Sequence, residues 1–245
     1  MSSSPTFLDP IVVPLLVGET VLDVGCGYGR WGSLIHSNYW EAGRLSPPTV
    51  DGIDAFTPNV DFCATLPFYR NVRQHVLPHP LDGAWDTVLA CEIIEHIEQV
   101  HVLDVLSMFE RVARRRVIIT TPNWSDRRGG ASTKLGFNDY EAHVSHISRA
   151  EFHSRGYKLR GAGFGNPDHW IDRSIAMMRR TTNRAPGPQT GESQSESSAS
   201  ESTGGGPAVP GSLRGRLQEV RAALGGVSRL IPSFAHTVVA YKDIV

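Results

Sequence analysis

Apolar positions recur along the chain with two different periods. Thr20, Val21, Leu22 and Val24 form a short run rich in β-branched residues that reads as a strand buried on both faces. Similar runs predict strands over residues 49–55 and 72–77, around Val88, Leu89 and Ala90, and over 116–122 and 157–164, with the closing stretch FAHTVVAYKD as the last. Helical spacing fills the gaps. Trp31, Leu34 and Ile35 predict a helix that starts near Arg30 and stops before Gly43 and the Pro47-Pro48 pair. Ile97, Val102, Val105, Leu106, Phe109 and Val112 form the apolar face of a helix expected over 93–114, with Arg111, Arg114, Arg115 and Arg116 as its solvated, dipole-compensating end. Ser148 with Glu151 three residues on is a capping-box spacing that opens another helix. Residues 124–140 read as a polar loop, and Phe7, Leu8, Ile11, Val12, Leu15 and Leu16 as a short helix or turn packed beside the first strand.

Strands alternating with helices, closed by two successive strands, imply an α/β fold with a doubly wound, mostly parallel sheet whose last pair is antiparallel. A plain dinucleotide-binding domain does not end that way. Between those last two strands, residues 166–233 read as an insertion. Trp170, Ile171, Ile175 and Met178 suggest one helix and Leu213, Leu217, Val220 and Leu224 a second, separated by a linker at about 183–211 with almost no large apolar residue, expected to be disordered. We read residues 1–245 as one domain carrying this insertion.

Composition narrows the function classes. The formal net charge is -1 and the pI about 6.8, which gives no global attraction to nucleic acid or to an anionic membrane. Arginines flanking the linker are largely offset by nearby acids, so no nucleic-acid partner is expected for the insertion. The run from Ile11 to Val17 is broken by Pro14 and too short to span a bilayer, and no basic segment precedes it. The expectation is a protein with neither signal nor anchor. Three cysteines without regular spacing make no disulfide framework or zinc site, consistent with a reduced, cytoplasmic setting. Cys26 and Cys91 fall at strand ends, where small buried hydrophobes are the plainer role.

Candidate chemistry gathers at the carboxyl ends of the strands. Gly25, Gly27 and Gly29 follow the first strand directly and permit a tight turn in which backbone N–H groups approach a ligand at a helix start. Asp23 lies inside that strand. Asp54, at the end of the second strand, is placed to accept hydrogen bonds from both hydroxyls of a ribose, with a strand-end turn or helix cap as the plainer alternative. Cys91 and Glu92 close the fourth strand on the same edge of the sheet. His143 and His146, in HVSH, belong to a segment that can fold over that edge and present an imidazole to a substrate hydroxyl, or simply brace the loop.

The order and wording of these motifs resemble the class I S-adenosylmethionine-dependent methyltransferases. VLDVGCGYG is similar to their first motif, GIDA to the acidic end of their second strand, DTVLACEIIEHI to their fourth-strand motif and FAHTVVAYKD to their seventh strand. The resemblance covers about residues 21–165 and the last strand. It implies a Rossmann-like, seven-stranded methyltransferase fold, S-adenosyl-L-methionine as cofactor held by Asp23, Gly25, Gly27, Gly29, Asp54, Cys91 and Glu92, and transfer of a methyl group to an acceptor, expected to be a small molecule. His146 and His143 are the candidate catalytic residues. The family's acidic residue after the third strand is replaced here by His75 and VLPHP, so the resemblance assigns no adenine contact.

Glu92, Glu95 and His96 in EIIEH, with His143 or His146, also resemble the metal ligands of the small-RNA 2′-O-methyltransferases. The same wording is widespread among metal-free members, and this chain has no basic nucleic-acid surface, so no metal is expected. Two alternatives stand beside the methyltransferase reading. A nicotinamide-dependent oxidoreductase would use the same glycine loop, but the final strand pair and the missing GxGxxG oppose it. A non-catalytic binding protein on a methyltransferase scaffold is opposed by the intact glycine loop.

Overall fold

In the computed structural model, residues 4–41, 46–125, 127–164 and 235–245 are described. The insertion predicted at 166–233, with its linker at 183–211, lies outside the described residues. Strand alternation decides which of two cores each side chain joins. In β1 (Thr20–Val24), Val21 faces Leu8, Ile11, Val12, Trp31 and Ile35 on one side of the sheet. Leu22 and Val24 face the opposite side, where they join Ile53, Val88 and Phe109. Both faces are therefore covered, which is why these strands read as continuous apolar runs.

The sheet also contains β2 (Thr49–Asp54), β3 (Asn71–Gln74), β4 (Trp85–Cys91) and β5 (Ala113–Pro122). The short strands β6 (Ala131–Thr133) and β7 (Gly136–Asn138) pair separately, and β8 (Lys158–Phe164) and β9 (Ala235–Asp243) complete the main sheet. Its order is β3-β2-β1-β4-β5-β9-β8. β9 runs antiparallel to both β5 and β8, and the remaining pairs are parallel, so the seven-stranded, doubly wound reading holds. The chain leaves β1 for β2 on one side and later returns to β4 on the other. That reversal places the glycine loop at the topological switch point, where open α/β sheets bind ligands.

Helices α1 (Asp9–Val12) and α2 (Arg30–Glu41) cover one face, α1 within a turn of helical segments from Thr6 to Leu15, as the apolar N-terminal pattern requires. α3 (Thr57–Cys63) follows β2. α4 (Val102–Val112) presents Val105, Leu106, Phe109 and Val112 to the other face, and α5 (Arg149–Ser154) starts with the expected capping box between Ser148 and Glu151. Among the described residues no helix is long and apolar enough to cross a membrane.

Three local expectations are corrected. The helix expected from residue 93 begins only at Val102, because Val144 and Ser145 donate their amides to the Glu95 carbonyl and the Ser145 hydroxyl donates to that of Ile94. With these tertiary donors in place, the segment forms a short 3-10 turn over Ile94–His96. Arg114, Arg115 and Arg116 are not a helix end but the start of β5. Arg116 donates to the Leu15 carbonyl and Asp243, and Arg115 pairs with Asp86 at 3.5 Å. The loop expected over 124–140 contains the β6–β7 hairpin, closed at Gly136 with φ +116° and tied at Thr133, whose hydroxyl donates to the Gly136 carbonyl at 2.7 Å.

Candidate active site

At the carboxyl edge of the sheet lies a cavity of about 640 Å³, bounded by the glycine loop, the ends of β2 and β4, and the segments around Trp124, His143 and His236. Gly25 forms part of its wall. With φ +71°, and with Ile93 Cδ1 only 2.0 Å from where a Cβ would stand, this position accepts glycine and little else. Gly27 and Gly29 stand behind the wall and shape the turn. The Gly27 amide donates to Asp54 Oδ2 at 2.9 Å, while Gly29 packs close to Leu66 and Tyr69.

Asp54 lines the cavity and braces it as well. Its Oδ2 accepts from Gly27 and from Asn59 Nδ2 at 3.2 Å, and its Oδ1 accepts from the Phe56 amide at 2.9 Å. Each carboxylate oxygen has two acceptor sites, so Oδ1 keeps room for one further donor. Burial raises the Asp54 carboxyl above its usual range, against the pull of the Phe56 and Gly27 amides. Asp23, by contrast, is wholly buried and does not line the cavity. Tyr69 Oη donates to Asp23 Oδ2 at 2.6 Å and accepts from the Gly32 amide at 3.1 Å, which ties β1 to the start of α2. Burial pushes the Asp23 carboxyl up to about 7, opposed by the Tyr69 hydroxyl. Cys91 lines the cavity, but burial pushes its thiol up, so it stays protonated. Cys26 also faces the cavity and hydrogen-bonds Cys63, which pushes its thiol up too.

The opposite wall is ionisable. Glu92 stands at φ +57°, the one non-glycine residue with positive φ among the described residues, and this turn aims its side chain at Thr120, whose hydroxyl donates to Oε1 at 2.8 Å. Burial pushes the Glu92 carboxyl up to about 7. Glu95 is 3% exposed; one oxygen accepts from the Thr121 hydroxyl at 3.0 Å, and Oε1 is without a hydrogen-bond partner among the described residues. Burial, reinforced by the Glu92 charge, drives its carboxyl well upward, so it holds its proton.

His96 Nδ1 lies 3.0 Å from the Ala142 carbonyl and must donate to it, because a carbonyl only accepts. That fixes the neutral tautomer with a lone pair on Nε2. Burial favours this neutral ring. His143 is buried, lines the cavity and meets His96 edge to face at 4.9 Å. Its Nε2 lies 2.6 Å from Arg128 Nη2 and accepts from that guanidinium. His146 does not line the cavity; its amide donates to Gln99 Oε1 at 3.0 Å.

Of the residues expected here, Gly25, Asp54, Cys91, Glu92 and His143 therefore share one cavity. Asp23, Gly27 and Gly29 support it from behind, and His146 stands outside. His96 carried a sequence signal only as a metal ligand, within EIIEH. Arg128, Trp124 and His236 carried none, since they reach the cavity from the 124–130 segment and from β9. Glu95, His96 and His143 offer ligand atoms that all lie within 4.8 Å of one another, a donor set that suits a divalent cation. Glu92 is outside that set, and with no α-helix over residues 92–96 the four-ligand arrangement that EIIEH resembles does not form among the described residues.

Comparison with known proteins bears on the same residues. The methyltransferase domain family matches residues 6–164. A ubiquinone biosynthesis O-methyltransferase of Rickettsia bellii (strain OSU 85-389) is 31% identical over 109 residues, 42% of this chain and 42% of that protein. The chain thus spans about two fifths of the length of the curated relatives it matches. Among solved structures, a SAM-dependent methyltransferase from Archaeoglobus fulgidus overlaps 96% of this chain and 90% of its own, with 14% identity and a TM-score of 0.48. Magnesium protoporphyrin IX methyltransferase from Synechocystis PCC 6803 overlaps 64% and 75%, with 20% identity and a TM-score of 0.43. The family match takes in the glycine loop, Asp54, Glu92 and the histidine segment together, and the sheet ends in the antiparallel strand that its resemblance implied. The chain belongs to the methyltransferase domain family, on the class I, S-adenosylmethionine-dependent fold.

Proposed function

We propose that the chain binds S-adenosyl-L-methionine in this cavity and transfers its methyl group to a small-molecule acceptor. The observation that carries the reading is the meeting of Gly25 and Asp54, from adjacent strand ends at the switch point, on one wall of a cavity whose other wall is ionisable. Gly25 offers backbone with no side chain in the way, and Oδ1 of Asp54 keeps one acceptor site, which suits a single ribose hydroxyl rather than two. Gly27, Gly29 and Asp23 hold that wall, and Cys91 and Glu92 meet the ligand at the end of β4. When bound, the cofactor supplies an activated methyl group on a sulfonium. About 640 Å³ falls within the range of small-molecule sites, which supports a small acceptor.

The residues on the ionisable wall have the positioning and proton-transfer roles. His96 is the base this geometry favours, because the Ala142 carbonyl orients its ring and Nε2 makes no hydrogen bond among the described residues. His143, first in line from the sequence, has its Nε2 engaged by Arg128 and serves to hold His96 edge to face. An oxygen acceptor fits an imidazole base, and the Rickettsia relative is by name an O-methyltransferase. Calorimetry with S-adenosylmethionine, its demethylated product and NAD tests the reading. Binding of the first two and not of NAD is expected; binding of NAD alone would overturn it.

A further inference from the structure

Three donors that suit a divalent cation, Glu95, His96 and His143, lie together at the cavity wall, yet the lone pair on one of them is already in use. Arg128 Nη2 sits 2.6 Å from His143 Nε2. A guanidinium only donates, so the imidazole nitrogen accepts, and that same lone pair is the one a metal would need from this ring. The arrangement is held from the backbone as well. His143 donates its amide to the Arg128 carbonyl at 2.9 Å, and the Arg128 amide returns a longer contact at 3.4 Å to the His143 carbonyl, an isolated antiparallel bridge. Arg128 is itself part of the cavity wall, and its charge acts on Glu92, Glu95 and His96.

We propose that Arg128 is the resident cation of this cluster: by capping His143 Nε2 it takes the place of a divalent ion, keeps the site metal-free, and fixes the ring that packs against His96. Arg128 is on this account a positioning residue. Its guanidinium is tethered to the chain and cannot diffuse away, so the wall carries a positive charge without a bound ion. A divalent cation would have to displace the guanidinium from His143 and tolerate it nearby.

The inference deepens the methyl-transfer reading and rests on it for its role in catalysis, but its test needs neither cofactor nor acceptor, so the two can fail separately. Full-length wild type, Arg128→Ala and the double variant Arg128→Ala with His143→Ala would be titrated with Co²⁺, following heat and the visible band of protein-bound cobalt. Arg128→Ala is expected to bind Co²⁺ at least about tenfold more tightly than wild type, with a stronger band, and the double variant to lose that gain. Arg128→Met, which keeps the aliphatic stem and drops the donor, should behave as Arg128→Ala and stands in for it if alanine unfolds the chain. Wild type binding as tightly as Arg128→Ala or Arg128→Met, or a gain that survives His143→Ala, would overturn the proposal.

Discussion

The two walls of the cavity are made of different material. On the glycine-loop side, Gly25, Gly27 and Asp54 come from the consecutive elements β1, α2 and β2 and the loop between the first two, and backbone amides provide much of the polar contact. On the other side, Glu92, Glu95, His96, Arg128, His143 and His236 are delivered by separate segments that meet only in the folded chain. The first wall is shaped by what a glycine lacks. The second is shaped by burial of groups that titrate, which raises both carboxyls and keeps His96 neutral. A fold can thus hold a constant cofactor wall by local geometry and vary its chemistry on the wall that tertiary contacts assemble.

The strongest way to break this contrast is His96→Ala. If the ionisable wall does the proton transfer, turnover should fall about 100-fold or more while cofactor affinity stays within about threefold. Release of the demethylated cofactor, with calorimetry alongside, measures both; equal losses in turnover and affinity would show the two walls acting as one. His146→Ala serves as the control, and wild-type turnover is expected of it because His146 stands outside the cavity.

Asp23→Asn probes the support behind the glycine wall. The folded-state carboxyl is raised to about 7 by burial, whereas an unfolded carboxyl titrates near 4. Between those values the folded chain binds more protons than the unfolded one. Stability should therefore fall as pH rises from about 4 to about 7 and level off above that. Asparagine still accepts from Tyr69 and carries no charge, so the variant should lose this slope and gain up to about 4 kcal/mol at pH 8. Denaturant unfolding at pH 5 and pH 8 gives the answer, and a slope unchanged by the variant would place its origin elsewhere.

Asp54→Ala should cost less in free energy but touch two properties. It removes the spare acceptor site on the glycine-loop wall together with the partner of the Gly27, Phe56 and Asn59 donors. We expect cofactor affinity to weaken by about 1.5–3 kcal/mol and the melting temperature to drop with it. Affinity lost with no thermal effect would mean that the bracing contacts are dispensable. The smallest effect is expected from deleting residues 189–206, whose composition offers little apolar surface to bury. Unchanged melting temperature and cofactor affinity are the expected outcome, and a large loss of either would make the insertion part of one wall or the other.

The pattern of residues was sufficient for the sheet and for the glycine wall. Continuous β-branched runs declare strands buried on both faces, three glycines after a strand declare a tight turn, and the acid at the end of the next strand is only a loop away in space. The capping box of α5 and the antiparallel last strand were legible for the same reason, since each depends on near neighbours or on a strong periodic signal. What lay beyond the sequence was the ionisable wall. Helical spacing continues without a break through residues 93–114, yet amides and a hydroxyl from Val144 and Ser145 claim the carbonyls of Ile94 and Glu95 and turn the chain there. The same contacts set His96 beside His143 and leave His146 outside. Neighbouring residues carry no record of such partners, because a hydrogen bond between positions some fifty apart is decided by packing and by the need to satisfy buried polar groups, not by local preference.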